Sequence, residues 1–274
     1  NSPKGRPIIG AMSDIESLNE SDLSAWYQRY YNPNNATLVL VGDVEPTEAM
    51  VWVRRYFDSL TSSSKAIAQP NLTQASHRGY HQFNSPQFVP TPQLSMAFNT
   101  PSLTSQTGAT DAYALALLSD IADGGLSARF EKQLIREQGV LSSVGLSYSP
   151  FDKGDTLFTI HATPKEGVDL ATAENAILAV LANINAQNID DNELLRGQNN
   201  LVSSLVFDND SMENQAVMLG MLATMGLPID SMDKDVLPKK FAQVTKTDIE
   251  KVGKKYLTRD NLTTQYILPI EQNK

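Results

Sequence analysis

The chain has no cysteine among its 274 residues. Disulfide scaffolds and thiolate metal sites are therefore excluded, and the redox compartment stays open. Histidine is scarce, with only three residues. Basic residues are outnumbered, 22 Lys and Arg against 31 Asp and Glu, for a net charge of −9. No Lys/Arg stripe offsets that balance, which speaks against nucleic acid or an anionic membrane surface as partner. No apolar run approaches the roughly 18–20 residues needed to span a bilayer. No signal peptide is visible either, which says nothing about location. What is present, 41% hydrophobic and 19% charged residues, describes a globular chain with material for one to two domains and a real core.

One passage occurs twice. Residues 21–40, SDLSAWYQRYYNPNNATLVL, align without a gap to residues 247–266, TDIEKVGKKYLTRDNLTTQY. Asp22 matches Asp248, Leu23 matches Ile249, Arg29 matches Lys255, Tyr30 matches Tyr256 and Asn35 matches Asn261, a constant offset of 226. That spacing is far longer than solenoid or propeller periods and points to a duplicated domain. Each copy reads as a capped helix, a polar turn and an apolar strand. The second copy closes a domain, and the first has almost nothing before it. The expectation is the tail of one domain, a linker and one whole sister domain, with roughly 180 residues belonging upstream.

In more detail, Ser21 is expected to cap a helix to about Tyr31, with Leu23, Trp26, Tyr27 and Tyr30 on one face. Asn32-Pro33-Asn34-Asn35 turns the chain, and ATLVLVGD follows as a buried strand. Pro46 opens a helix to about Leu60. Residues 61–92, rich in Ser, Pro, Gln and Asn, read as an interdomain linker with one short extended segment. The division is thus 1–60, the end of a truncated first domain; 61–92, linker; and 93–274, a complete second domain. The latter reads as a strand near 93–99, helices over 107–122 and 127–137, and a hairpin of strands near 141–149 and 155–163. Helices near 169–187, 190–207, 211–224, 233–242 and 246–257 follow, then a strand near 262–268. Hairpins alternating with runs of helices predict an α+β fold, helices on one face of a largely antiparallel sheet.

Candidate chemistry is thin. His77 and His81, four apart, would share a face of a helix as zinc ligands do. Gly79 between them, linker-like flanks and the lack of a neighbouring carboxylate favour two solvated histidines. His161 stands alone in a strand. Gly124-Gly125-Leu126-Ser127 precedes a helix and reads as a turn with Ser127 as cap; no phosphate-binding fingerprint follows. Met212, Met218, Met221 and Met225 read as core filler. Asp120 and Asp123 read as a solvated helix end. Asn71-Leu72-Thr73 is a glycosylation triplet of the kind that arises by chance.

The run R-P-I-I-G (Arg6 to Gly10), with the helix ending R-Y-Y-N-P-N-N-A-T-L-V-L-V-G-D (Arg29 to Asp43) and Y-F-D-S-L (Tyr56 to Leu60), resembles the insulinase/pitrilysin family of zinc metallopeptidases. G-G-L-S-A-R-F-E-K-Q-L-I-R-E-Q-G (Gly124 to Gly139) is similar to that family's second-half segment. The resemblance implies a mitochondrial-processing-peptidase-like, duplicated α+β fold whose two halves close a chamber on a peptide. It implies zinc held by H-x-x-E-H and a distal glutamate in the first half, the motif glutamate serving as general base. All of these precede the match at Arg6. The chain would therefore hold no catalytic residue and no metal ligand, and zinc would belong to the missing upstream half. Arg136 matches a family arginine that contacts the bound peptide. The tyrosine expected seven residues on is Ser143 here, and Arg136 paired in place with Glu137 or a neighbour is the bland alternative. The implied whole is a metalloendopeptidase, periplasmic by resemblance, with peptide substrate and the catalytic half as partners. The alternative is a catalytically inactive relative acting as a binding or assembly subunit.

Overall fold

The computed structural model describes residues 8–61, 67 and 79–270, apart from the side chains of 205, 206, 208 and 209. Arg6, His77 and the Asn71–Thr73 triplet lie outside the described residues. Two compact units form, one from residues 1–72 with 207–231, the other from 73–206 with 232–274.

The first unit contains α1 (Met12–Ser17), α2 (Glu20–Tyr30), a 3-10 turn at Pro33–Asn35 and α3 (Pro46–Phe57). Asn19, and not Ser21, caps α2. Its side-chain oxygen accepts from the backbone of Asp22 at 3.3 Å, while Asp22 Oδ2 accepts from Asn19 N at 3.2 Å. This reciprocal box satisfies two helix-end donors at once, which a cap at Ser21 would not. Residues 36–41 join no ladder, although Ala36 is already extended at φ −121° and ψ 144°. The buried strand expected here is neither paired nor buried: Leu38 and Leu40 are both 52% exposed. A strand needs neighbours, and no strand forms among the described residues of this unit.

The second unit is built on five strands: β1 (His81–Gln87), β2 (Gln93–Thr100), β3 (Leu141–Ser147), β4 (Thr156–Pro164) and β5 (Leu262–Pro269). Their order is β1-β5-β2-β4-β3. Only the β1–β5 pair is parallel; the other three pairs are antiparallel. The fold is α+β, as the element order predicts. The stretch read as linker thus contains β1, whose polar sequence and Pro86 suit an exposed edge.

Between the hairpin elements lie α4 (Ala112–Asp123) and a π-helix at Phe130–Glu137, followed after β4 by α5 (Leu170–Ala182) and α6 (Asp191–Asn209). Then come α7 (Met212–Met225), which belongs to the first unit, α8 (Leu237–Ala242) and α9 (Lys246–Tyr256). One sheet face is dry. Leu94, Met96 and Phe98 of β2 and Phe158 and Ile160 of β4 alternate into a core shared with Leu115, Leu118 and Ile121 of α4 and Ile177 of α5. Ile249 and Val252 of α9 complete it. A Cβ at Gly253 would stand 3.3 Å from Leu118 Cδ1, so the glycine sets how closely α9 approaches α4. The other face, carrying Ser95, Ala97, His161, Thr263 and Gln265, is half-buried or exposed. The methionines of α7 are not core filler: Met212 and Met221 are 62% and 43% exposed. Apolar residues surround α7 on every side, so no single stripe selects a core-facing side.

Glu174 of α5 is a carboxylate inside this core, 2% exposed. It accepts from Tyr266 at 2.7 Å, Tyr80 at 3.0 Å and Thr264 at 3.3 Å. Full satisfaction is what makes a buried carboxylate tolerable. Burial, then Glu174 itself, pushes the Tyr80 and Tyr266 hydroxyls up.

Candidate functional site

The duplicated passage can be compared atom by atom. Thr245 caps α9 as Asn19 caps α2: its hydroxyl accepts from Asp248 N at 3.2 Å, and Asp248 Oδ2 accepts from Thr245 N at 2.9 Å. A 3-10 turn at Arg259–Asn261 matches Pro33–Asn35. Asn35 Nδ2 donates to the Tyr30 carbonyl at 2.9 Å, and Asn261 Nδ2 donates to the Tyr256 carbonyl at 3.2 Å. Arg29 lies over the Tyr30 ring and Lys255 over the Tyr256 ring. The matched residues are therefore the ones that start, stop and turn the unit. Burial differs sharply. Ile249 and Val252 are 0% and 1% exposed; their counterparts Leu23 and Trp26 are 61% and 56% exposed.

The richest polar site lies at the start of the π-helix. Its turns carry i→i+5 bonds, such as Gln138 N to Gln133 O at 2.9 Å. Phe130 and Leu134 are fully buried, while Ile135 is only half-buried. Arg129, just before the π-helix, is 7% exposed. It donates to both Glu193 oxygens at 2.8 Å, to Asn183 O at 3.1 Å and to Asn188 O at 2.8 Å. This bidentate pair ties the π-helix to the end of α5 and the start of α6.

Beside it opens a cleft of about 480 Å³ lined by Ser127, Lys132, Arg136, Glu137 and Arg196. Arg136 bends back to donate to the Leu126 carbonyl, and its Nε lies 3.7 Å from Glu131. The neighbour that pairs with it is thus Glu131. Ser143 is exposed on β3 and Ser127 makes no cap. Asp120 and Asp123 are half-buried and partnered, not a solvated end. Asn200 donates to Asp120 at 3.3 and 3.4 Å, and Leu146 N donates to Asp123 at 2.7 Å. Burial pushes the Asp120 carboxyl up to about 6, against the pull of Asn200 and Arg196. Burial also raises Asp123. A Cβ at Gly124 would stand 2.4 Å from the Asp120 carbonyl oxygen, so only glycine lets the chain turn there.

No group of three or more His, Asp or Glu that could hold a metal forms among the described residues. Gly79, at φ +124°, breaks the chain before His81, which opens β1 and so shares no helix with His77. His161 is exposed on the open sheet face. No described helix is long and apolar enough to cross a membrane. Lys132, Glu193 and Arg196 were not legible as site residues, because the site joins segments some 60 positions apart and no local motif marks them.

The family profile described as "Peptidase M16 inactive domain" matches residues 17–201. An uncharacterized zinc protease of Rickettsia bellii is 32% identical over 174 residues, covering 63% of this chain and 40% of that protein. The zinc protease PqqE of Helicobacter pylori is 22% identical over 263 residues, covering 95% of this chain and 57% of its own. The chain thus spans about half the length of these relatives. The crystal structure of a protease from Helicobacter pylori superposes with a TM-score of 0.84 at 20% identity, covering 95% of this chain and 62% of that one. The peptidase M16 inactive domain from Pseudomonas fluorescens superposes with a TM-score of 0.75 at 18% identity, covering 97% and 61%.

Proposed function

The chain belongs to the peptidase M16 inactive-domain family, and on that premise we propose that it is the non-catalytic portion of a zinc metalloendopeptidase, closing the peptide-binding chamber against a catalytic half. The observation that carries this is the uncovered copy of the repeat. The α2 passage reproduces the caps and turn of the α9 passage, yet Leu23, Trp26, Leu38 and Leu40 stand exposed. In the second unit the matching Ile249, Val252 and Thr264 are buried and Tyr266 half-buried, with α4 over them and strands on both sides of β5. A missing sister sheet would seal the first in the same way. In this reading residues 1–60 end the catalytic domain, 61–92 connect the halves and 93–274 form the inactive domain. Zinc and the general base belong to the catalytic half. This portion's work is to hold and enclose the peptide, Arg136 being its proposed contact.

A periplasmic location is part of the proposal, supported by likeness to the first half of the periplasmic protease PqqL from Escherichia coli (TM-score 0.73). Ser143 in place of the family tyrosine favours a second reading, an inactive relative that binds peptide or assembles without cutting. One assay separates the two. The protein extended upstream to the length of its relatives is incubated with quenched fluorescent peptides, with and without a chelator. Chelator-sensitive cleavage, absent from the 274-residue chain alone, supports the peptidase. Binding without cleavage when zinc is supplied supports the second reading and overturns the first.

A further inference from the structure

We propose that the cleft between the π-helix and α6 binds a single carboxylate carried by a peptide, through Arg196, Lys132 and Arg136. The inference rests on the peptide-holding role given above and adds the chemical class of the peptide. In a chain of net charge −9, this cleft gathers three cations against one lining carboxylate, Glu137. The adjoining cavity shares Ser127, Lys132 and Arg196, so these residues face a continuous opening.

The cations are unequally engaged. Arg129 is spent, its guanidinium closed by Glu193 and two backbone carbonyls. Lys132 reaches Glu137 only at 4.0 Å, both side chains more than half exposed. The Arg136–Glu131 approach is 3.7 Å, longer than a charge-assisted hydrogen bond. Arg196 makes no hydrogen bond or ion pair among the described residues; it acts on Asp120 and Asp190 through space alone. Its planar fork of donors, on a helix whose first turn Arg129 anchors, suits bidentate capture of a carboxylate. The Ser127 hydroxyl stands at the same opening.

The charge count selects the ligand. Within the cleft itself, Lys132, Arg136 and Arg196 stand against Glu137 and the nearby Glu131, leaving about one positive charge, which complements a carboxylate monoanion; Asp190 lines only the adjoining cavity, where Glu193 neutralises Arg129. A dianionic phosphate would meet the two glutamates at greater cost. Two sources offer that group: an Asp or Glu side chain, and the α-carboxylate at a peptide C-terminus.

The test titrates the protein extended upstream as above, with chelator present so that no peptide is cut, into fluorescein-labelled decapeptides of identical Gly/Ala/Ser background. One carries a central Glu and an amidated end, one a central Gln and a free acid end, and one neither charge. The expected result is at least fivefold tighter binding of one or both acids over the neutral peptide at low salt, the gap closing at high salt. The stronger of the two names the source. Arg196→Gln should erase the preference, and Lys132→Gln provides the same reading should the first variant fold poorly. Equal affinity for charged and neutral peptides, or a full preference retained in both variants, overturns the carboxylate site while leaving peptide holding intact. Displacement by inorganic phosphate at concentrations where acetate has no effect also overturns it. Failure of every peptide to bind overturns this inference and the peptide-holding role together.

Discussion

Asp120 shows how a single carboxylate can tax the fold it belongs to. Burial between α4 and α6 raises its pKa from 3.8 to about 6. Its favourable, protonated form is fully present below the unfolded value and is lost as pH rises through about 6. Above that, the folded state holds a charge that the unfolded chain would hydrate. The cost is on the order of 1–2 kcal/mol, discounted because the group is only partly buried. Asp120→Asn should therefore leave stability near wild type at pH 4 and raise it by about that amount at pH 7.5. Paired urea titrations at the two pH values check this, and an equal difference at both would show that the proton is not involved. Asn in this place keeps an acceptor for Asn200. The sequence showed Asp120 and Asp123 but not their setting. Asn200 lies 80 positions away and Leu146 lies 23 positions away, so a helix end that looks solvated on paper is roofed by other segments. Arg129 was equally opaque: it read as part of a family-like run, and its partner Glu193 is 64 positions off.

The duplicated helix–turn–strand unit was the most legible element, because its signals are local. Caps, turn and helix stop are set by residues within a few positions of one another, and such chemistry survives transfer between contexts. What was not legible was the strand after it. Residues 36–41 and β5 carry the same kind of run, and only one is paired, since pairing depends on neighbours that the run itself does not encode. The π-helix escaped for a related reason: its apolar spacing of four between Phe130 and Leu134 fits an α-helix as well. The two copies should respond differently to the same cut. Asn261→Ala removes the side chain closing α9 and should cost the second unit about 1 kcal/mol. Asn35→Ala should leave the unfolding midpoint of the second unit unchanged, its helix having no buried residue to anchor. Chemical denaturation followed by circular dichroism distinguishes them, and a matching loss from both would mean the copies are equally integrated.

Taken together, the chain pairs one finished unit with one that has an apolar face uncovered. Leu23, Trp26, Tyr27, Leu38 and Leu40 form exposed surface of the sort that soluble monomers avoid. The isolated chain should bind a hydrophobic dye and self-associate above micromolar concentration, and Leu23→Lys with Trp26→Glu should reduce both. Sizing by light scattering gives the answer; a monodisperse wild-type monomer without dye binding would mean that this face is covered by other means. Duplication was readable across 226 positions of sequence, but the grouping of α7 with the first unit was not, because no periodicity reports which unit a helix joins. The strand order has a further consequence, for synthesis. Among the described residues β1 pairs with β5 alone, residues 81–87 against 263–269. On the ribosome, β1 emerges and then waits for some 180 residues before the strand it pairs with exists. At about 5–20 residues per second that delay is on the order of ten to forty seconds. A hydrophobic strand left single for so long would find the wrong partner. The polar composition of β1, HQFNSPQ with its proline, reads as insurance for that interval: a strand plain enough to wait, completed only when β5 slides between it and β2.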